Sequence, residues 1–394
     1  MKELFAGFYG LSPEQTSEIW NDKTSVFIFD TNVLLLLYKC EVETRDSFFE
    51  LWEKIKTRVW VPYHVCLEYQ RNRLSAIKSH TLELENFGQY IKNQITSSLA
   101  IEHFDNKHKN TITRYEKLCE QLNILSEKII NISDEFIEEQ IKTRIDAADF
   151  LNKHDTVRDR ISDLLSSQIG AAPDQKRINE LEEKGKKRYE LLIPPGFEDA
   201  KTKNDSFHYN GVTYKSMYGD WFIWSELLEL VAQKACKGVI FISNDVKDDW
   251  FFKTGGKTRG PLEHLKTELK SSGNGTELLL YTSSSFLHNA NNFLSGNKVS
   301  EEAIKEIEHI NTPPQDKIKA TEIYNDPFPL HQDALAVMED LKTVEELLSN
   351  TSRDTQTYYD LSRKREAIRS KLIEFAEQRR KWYHAREFEQ QMIR

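Results

Sequence analysis

Two stretches of the chain are continuously apolar, and each is followed by polar residues. Residues 26–29 read Val-Phe-Ile-Phe and residues 239–243 read Val-Ile-Phe-Ile-Ser. Runs of β-branched and aromatic residues like these are typical of strands buried on both faces of a parallel sheet. Asp30 follows the first run, and Asn244 and Asp245 follow the second. Because ligands of open α/β sheets bind outside the carboxyl ends of the strands, the pattern predicts a polar cleft there.

Helical spacing of apolar residues surrounds these strands. It indicates helices at 33–38 and 43–56, from residue 63 onward, and at 221–234 and 262–269. Short apolar runs at 58–61 and 278–281 indicate two further strands, and a glycine-rich loop is predicted at 254–260. Alternating strands and helices predict an α/β fold with a parallel sheet flanked by helices.

The middle of the chain has a different texture, because glycine becomes rare and charges of both signs become dense. Apolar residues at spacings of three and four form a heptad pattern, namely Tyr115, Leu118, Leu122, Leu125 and Ile129. The pattern predicts two to four long helices, with turns near 131–134 and 170–174. The predicted domains are the first part of the α/β domain at 1–74, a helical insertion at 75–193, the second part at 194–290, and a helical C-terminal region at 291–394.

Composition narrows the class of protein. The chain has 394 residues of which 39% are apolar, as expected of a globular protein with sizeable cores. Its four cysteines form no Cys-x-x-Cys pair, which argues against a zinc ribbon and, in a chain of this length, against a disulfide framework. Without a charged-then-apolar leader or a run of 18 apolar residues, we expect a cytoplasmic protein that does not enter a membrane. The net charge of −9 means that binding to nucleic acid would need a local basic surface.

Acidic residues recur at the predicted strand ends and on the adjoining helices. Carboxylates brought together repel each other, so such a cluster normally holds a cation. Oxygen ligands without histidine or cysteine favour Mg²⁺ or Mn²⁺, which support hydrolysis of phosphodiesters. The acids are Asp30, Glu68, Asp220, Asp245, Asp248 and Asp249.

Most of these acids taken alone also have a simpler explanation, whereas none is evident for Asp245, which follows a predicted buried strand. Asp30 and Asp220 stand where helices begin and would serve as N-caps. Glu68 would form a surface ion pair with Arg71, one turn further along its helix. Asp249 would be an ordinary acid in a solvated turn.

Five motifs in a fixed order carry a resemblance. They are Phe-Asp-Thr-Asn-Val-Leu-Leu, Val-Pro-Tyr-His-Val-Cys-Leu-Glu-Tyr-Gln-Arg-Asn-Arg, Pro-Pro-Gly-Phe-Glu-Asp-Ala-Lys, Tyr-Gly-Asp-Trp-Phe-Ile-Trp and Phe-Ile-Ser-Asn-Asp-Val-Lys-Asp-Asp-Trp. In this order they resemble a PIN-domain nuclease, and most closely the PIN-like group with a large helical insertion. The resemblance covers about residues 25–74 and 194–290.

The resemblance implies roles for individual residues. The metal ligands would be Asp30, Glu68, Asp220 and Asp245, with Asp249 as an outer carboxylate. The residues that shape the site would be Asn32, Ser243 and Asn244. A nuclease of this kind uses Mg²⁺ or Mn²⁺ and a metal-activated water to cleave phosphodiester bonds, with RNA as the favoured substrate and DNA as the alternative.

Basic residues near these motifs are candidates for contacts with nucleic acid. They are Arg71, Arg73, Lys201, Lys247, Lys257 and Arg259. The helical insertion and the C-terminal helices are candidate surfaces for a protein partner or for self-association. Such control elements would suit a toxin or an anti-phage effector, by analogy alone.

Two other classes of function remain open at this point. An aspartyl phosphatase of the haloacid-dehalogenase type also begins with a buried strand that ends in aspartate. That chemistry needs a second aspartate two positions later, where this chain has Asn32. A non-catalytic scaffold or regulatory subunit would instead use the helical arm for docking.

Overall fold

The structure is a computed structural model, and it describes residues 1, 4–100, 104, 106–166, 168–254, 257–296 and 298–311, with scattered residues between 337 and 378. The chain divides into two units, Met1–Pro313 and Pro314–Arg394. The described residues of the second unit are helical. The domain boundaries at 74, 193 and 290 stay a prediction.

Within the described residues, seven strands form three sheets. The strands are β1 (Val26–Phe29), β2 (Ser206–Tyr209), β3 (Val212–Lys215), β4 (Gly238–Ile242), β5 (Phe251–Thr254), β6 (Lys257–Pro261) and β7 (Glu277–Tyr281). The central sheet has the order β1-β4-β7 and is parallel, whereas β2–β3 and β5–β6 are antiparallel pairs. The predicted α/β fold with a parallel sheet is confirmed.

Helices make up most of the remaining described chain. They are α1 (Pro13–Asn21), α2 (Thr31–Leu36), α3 (Val42–Ile55), α4 (Tyr63–Leu99), α5 (Asn106–Thr113), α6 (Glu116–Phe136), α7 (Thr143–Ala147), α8 (Thr156–Leu165), α9 (Gln175–Glu190), α10 (Gly219–Gln233), α11 (Glu263–Ser272), α12 (Ser283–Phe293) and α13 (Glu301–Asn311). Short 3-10 turns lie at Ala6–Phe8, Lys56–Arg58, Asp199–Lys201 and Ser216–Tyr218. Among the described helices, none combines the length and the hydrophobicity needed to cross a bilayer.

The register of the central sheet brings the carboxyl ends of its strands to one edge. Phe29 is opposite Ile242, and Ile242 is opposite Tyr281. The ladder continues one step further, since the Asp30 N–H donates to the Ile242 carbonyl at 2.9 Å. Every residue of β1 and β4 is buried, so the polar residues that follow them are the first that reach the surface of the sheet edge.

Two predicted elements are absent or different. The strand expected at 58–61 is not formed, because Val59 and Val61 make only isolated bridges to Phe27 and Ile169. A 3-10 turn ends at Arg58, and Pro62 follows without an N–H to extend a ladder. The glycine-rich loop predicted at 254–260 is largely the β5–β6 hairpin, and residues 255 and 256 lie outside the described part.

The helical insertion is built on α4, which packs against α6. The turn expected near 131–134 is wrong, because α6 continues to Phe136 and is followed by a π-helical segment, Ile137–Lys142. An ion pair between Asp134 and Lys92 of α4, 2.8 Å apart, joins the two helices at this point. Several apolar side chains of the heptad pattern face solvent, since Tyr115 is 59% exposed and Leu125 is 49% exposed.

The β2–β3 hairpin was not predicted, although its sequence contains a signal. Asn210 and Gly211 form the turn and both have positive φ, 48° and 80°. An Asn-Gly pair is the preferred two-residue connection of a hairpin because both residues tolerate this conformation. The hairpin lies beside α4, where the Arg71 guanidinium is 3.3 Å from the centroid of the Phe207 ring.

Candidate active site

Asp30 lies at the end of β1 and caps α2. Its Oδ1 accepts a hydrogen bond from the Thr31 N–H at 2.7 Å. Its Oδ2 accepts from the Ser243 hydroxyl at 2.6 Å and from the Asn32 amide at 2.7 Å. The carboxylate therefore serves as the N-cap that the sequence suggested, and it is also tied to the end of β4.

Asn32, Ser243 and Asn244 hold the strand ends together. The Asn32 amide also donates to the Ser243 hydroxyl at 3.1 Å, and its oxygen accepts from the Asn244 N–H at 2.9 Å. The Asn244 side chain in turn accepts from the N–H of Ser283, the first residue of α12. These hydrogen bonds fix the position of Asp30 relative to β4 and the segment after β7.

Glu68 reaches the same place from α4. Its Oε2 accepts from the Thr31 hydroxyl at 3.0 Å, and its Oε1 is 3.4 Å from His64 Nε2. A Cβ at Gly219 would lie 2.8 Å from Glu68 Oε1, so the start of α10 approaches closely because residue 219 is glycine. The side chain of Glu68 is 22% exposed, in keeping with a cleft rather than an open surface.

The start of α4 is itself anchored by a buried acid. Glu226 accepts hydrogen bonds from the N–H groups of Tyr63 at 2.6 Å and His64 at 3.1 Å. These are the first two helical residues, whose N–H groups have no partner inside the helix. Burial raises the pKa of Glu226 to about 7 despite these bonds. Glu226 thereby fixes the helix that carries Glu68.

Lys247 lies close to two of the acids, Asp220 on α10 and Asp245 after β4. Lys247 Nζ is 2.6 Å from Asp245 Oδ2 and 3.9 Å from Asp220 Oδ2. The Trp250 indole N–H donates to Asp220 Oδ2 at 3.2 Å, and its ring stacks on Phe241 of β4 with centroids 5.1 Å apart. Asp220 is therefore fixed to the core of the sheet.

Asp199 is a further acid of this group, and its role was not predicted from the sequence. Its side chain is 5% exposed, and its Oδ1 lies 2.5 Å from Lys247 Nζ. Its Oδ2 lies 2.5 Å from Lys203 Nζ. The sequence did contain a signal for this acid, because Asp199 is the aspartate of the Pro-Pro-Gly-Phe-Glu-Asp motif. The contact of Asp199 with Lys247 joins the loop before β2 to the segment after β4.

A continuous path of contacts links the four predicted metal ligands. It runs from Glu68 through Thr31 to Asp30, and from Asp30 through Ser243 to Asp245, whose N–H donates to the Ser243 hydroxyl at 3.1 Å. Lys247 then connects Asp245 with Asp220. The structure therefore brings together Asp30, Glu68, Asp220 and Asp245, four residues distant in sequence.

The charges of this group perturb one another. Burial raises the pKa of Asp30 to about 6, and the carboxylates of Glu68 and Asp245 act in the same direction. Burial also raises the pKa of Asp220 well above its usual range, opposed by the ammonium of Lys247. Burial acts to raise the pKa of Glu68 as well, but His64, Lys203 and Thr31 outweigh it and leave that pKa lowered.

Asp249 is placed differently from the other acids. It is 0% exposed, and its Oδ2 accepts hydrogen bonds from the N–H groups of Gly196 at 2.9 Å and Glu198 at 3.2 Å. It thereby holds the loop that contains Asp199. Asp248 contacts none of the other acids in these ion pairs. Its side chain is 80% exposed and pairs with Lys253 at 2.7 Å.

Comparison with known protein families assigns the chain to one of them. A family model described as a PIN-like domain matches residues 26–265, more than half of the chain. The chain belongs to the PIN-like domain family. The match includes every acid of the path above and spans the helical insertion. No curated protein and no solved structure matches the chain significantly.

The basic residues predicted near this PIN-like site have different surroundings. Arg71 is exposed beside Phe207, and Lys201 is 63% exposed and 2.7 Å from Glu198. Arg73 is instead 12% exposed and forms an ion pair with Asp155 at 3.0 Å. Arg259 is exposed and lines a groove whose lining residues include none of the clustered acids, and the side chain of Lys257 lies outside the described part.

The donors of the PIN-like site fit a hard divalent cation in kind. All are carboxylates, and burial raises the pKa values of Asp30 and Asp220, with neighbouring carboxylates acting in the same direction, so an added cation would favour their charged forms. As they stand, however, no three histidine, cysteine, aspartate or glutamate side chains of the described residues are arranged to hold a metal ion. The ammonium of Lys247 lies among the carboxylates at Asp220 and Asp245.

Proposed function

We propose that this PIN-like protein is a divalent-metal-dependent endonuclease that hydrolyses phosphodiester bonds of nucleic acid, with RNA favoured over DNA. The observation that carries the proposal is the convergence of Asp30, Glu68, Asp220 and Asp245 at the carboxyl edge of the parallel sheet. Nuclease activity is common among PIN domains, and a clustered set of carboxylates suits Mg²⁺ or Mn²⁺.

In this proposal the four acids would hold the cation, and the surrounding residues would hold the acids. Ser243 and Asn32 fix the orientation of the Asp30 carboxylate through hydrogen bonds of 2.6 and 2.7 Å. Thr31 positions Glu68, and Trp250 positions Asp220. A bound divalent cation would neutralise charge on the scissile phosphate and lower the pKa of a water molecule.

Contacts with the substrate are assigned to basic side chains that remain accessible. Arg71 is exposed on α4, one turn from Glu68, and packs on Phe207 of the β2–β3 hairpin. A guanidinium held against an aromatic ring keeps its N–H groups available for phosphate oxygens. Lys201 is also exposed near the loop of Asp199. Arg73 is not included, because its charge is paired with Asp155.

A protein partner is a second part of the proposal, supported by the helical insertion. Apolar side chains on α4 and α6 face solvent, among them Phe87 at 50%, Tyr90 at 51% and Leu118 at 48% exposure. Exposed apolar side chains on neighbouring helices favour an interaction surface. A nuclease restrained or delivered in this way would suit a toxin or an anti-phage effector, by analogy alone.

The proposal is tested with the purified full-length chain and Asp30→Asn on single-stranded RNA and DNA with Mg²⁺ or Mn²⁺. We expect cleavage to fall by at least about a hundredfold, since even partners of metal ligands are worth 10- to 100-fold. Asp248→Asn is the matched control, because Asp248 is 80% exposed and should leave cleavage unchanged.

Two outcomes would contradict the proposal. Equal cleavage by the wild-type chain and Asp30→Asn would assign the activity to other residues or to a contaminant. A wild-type chain without cleavage under any of these conditions would favour the scaffold or regulatory subunit instead.

A further inference from the structure

Lys247 occupies an unexpected position among the acids. Its Nζ is 2.5 Å from Asp199 Oδ1, 2.6 Å from Asp245 Oδ2 and 3.9 Å from Asp220 Oδ2. We infer that Lys247 is an internal cation that competes with the divalent metal, so that its ammonium must leave Asp245 and Asp220 before a metal can bind both carboxylates. This inference rests on the proposed metal-dependent function.

The Lys247 ammonium and a divalent metal cannot bind Asp220 and Asp245 at the same time, for reasons of both space and charge. Mg²⁺ binds oxygen ligands at about 2.0–2.1 Å and requires a nearly octahedral shell, so Asp220 and Asp245 would have to turn toward the metal. An ammonium at its present distance of 2.6 Å from Asp245 would lie beside that metal. Two positive charges so close together repel strongly in a partly buried site.

The surroundings of Lys247 allow its ammonium to move toward solvent. Asp199 would keep a cation, because its other oxygen is 2.5 Å from Lys203 Nζ. The side chains of Lys247 and Asp245 are 29% and 32% exposed, so this side of the group is open to solvent. The flexible four-carbon stem of lysine can move the ammonium outward without a change in the backbone.

The contact also explains why the described acids form no metal site as they stand. The ammonium joins Asp245 to Asp199, whereas Asp30 accepts a hydrogen bond from Ser243 and Glu68 accepts one from Thr31. Without Lys247, an external cation would relieve the repulsion between Asp245 and Asp220.

The test measures metal binding rather than cleavage. Mn²⁺ is titrated into the full-length chain by calorimetry and by electron paramagnetic resonance of free Mn²⁺, for the wild type, Lys247→Met and Lys247→Gln. We expect both variants to bind Mn²⁺ about tenfold more tightly than the wild type, which corresponds to about 1.4 kcal/mol. Lys247→Arg keeps the positive charge and should bind close to the wild-type affinity.

A stability measurement gives a second readout of the same variants. In EDTA, Lys247→Met and Lys247→Gln should melt at a lower temperature than the wild type, because the acids lose their internal cation. Addition of Mn²⁺ should raise the melting temperature more in these variants than in the wild type. Lys253→Met is the matched control, since Lys253 pairs with the exposed Asp248 and should change neither readout.

The outcomes separate this inference from the proposed function. Mn²⁺ binding that is weakened by Asp30→Asn but not tightened by loss of the Lys247 charge would overturn the competition alone, and would make Lys247 a phosphate contact or a structural link. Absence of Mn²⁺ binding to every variant, together with absence of cleavage, would overturn both.

Discussion

Asp30 is partly buried and Asp155 is buried, and the charges around the two acids differ. Asp155 is 7% exposed, accepts hydrogen bonds from the Tyr38 hydroxyl and the Arg158 N–H, and pairs with the guanidinium of Arg73 at 3.0 Å. Asp30 also accepts three hydrogen bonds, but its charged neighbours include the carboxylates of Glu68 and Asp245. Among the described ion pairs, none includes Asp30.

The difference separates an acid whose charge is paired inside the protein from one that would bind a cation under the proposed function. At Asp155 the negative charge has a partner inside the protein, and the group joins Tyr38, just after α2, and α4 to the start of α8. At Asp30 the negative charge is in excess. Hydrogen bonds alone therefore do not distinguish the two roles, whereas the balance of charge does.

The largest effect on stability is expected at Asp155. Asp155→Asn leaves the charge of Arg73, 12% exposed, without its partner. Breaking a buried ion pair in this way costs about 3–5 kcal/mol, which urea unfolding of the full-length chain would measure. Asp159→Asn is the control, because Asp159 is 43% exposed and caps no helix, and we expect little change. Equal losses for the two variants would show that the buried pair has no special weight.

A smaller effect with a defined pH dependence is expected at Asp30. Its pKa is raised from 3.8 to about 6, so between these values the folded chain binds more protons than the unfolded chain. In EDTA, the free energy of unfolding of the wild type should therefore fall, relative to Asp30→Asn, by about 2 kcal/mol from pH 4 to pH 6. Urea unfolding across this range measures the fall.

The same experiment contains its own check on the cause. Mn²⁺ added at pH 7 should restore stability to the wild type but much less to Asp30→Asn, because the cation replaces the bound proton. Parallel pH profiles of the two chains, with or without Mn²⁺, would remove the distinction between Asp30 and Asp155.

The smallest effect is expected at Arg71, which is compared with Arg73 on the same helix. Arg71→Ala should weaken binding of single-stranded RNA and reduce the slope of log affinity against log salt by about 0.7, the value for one phosphate contact. It should leave the free energy of unfolding nearly unchanged, whereas Arg73→Ala should lower it by several kcal/mol through Asp155. An unchanged salt dependence in Arg71→Ala would place the substrate elsewhere.

Much of this site could be predicted because its signals are local. The runs before Asp30 and Asp245 indicate buried strands, and strands of a parallel sheet end at a common edge. Glu68 and Asp220 were placed by resemblance to a family, and their convergence with Asp30 required the fold. The roles of these acids stay predictions until metal binding is measured.

Other features depend on contacts that the sequence does not display. The ammonium of Lys247 between Asp199 and Asp245 brings together a loop and a strand end 46 residues apart. The pairing of Arg73 with Asp155 likewise required coordinates. Helical geometry alone could have separated Arg71 from Arg73, however. Residues two apart on a helix point in nearly opposite directions, so these two side chains do not share a face.

Glu68 is near the first turn of α4, and the same helix continues without interruption to Leu99. At a rise of 1.5 Å per residue, α4 is about 55 Å long. Glu226 accepts hydrogen bonds from its beginning, and α6 packs against it further along. A rod transmits rotation along its length, so a partner that twisted the distal arm would also turn a carboxylate at the opposite end. The helical insertion and Glu68 thus share one continuous helix, whose beginning is held by Glu226.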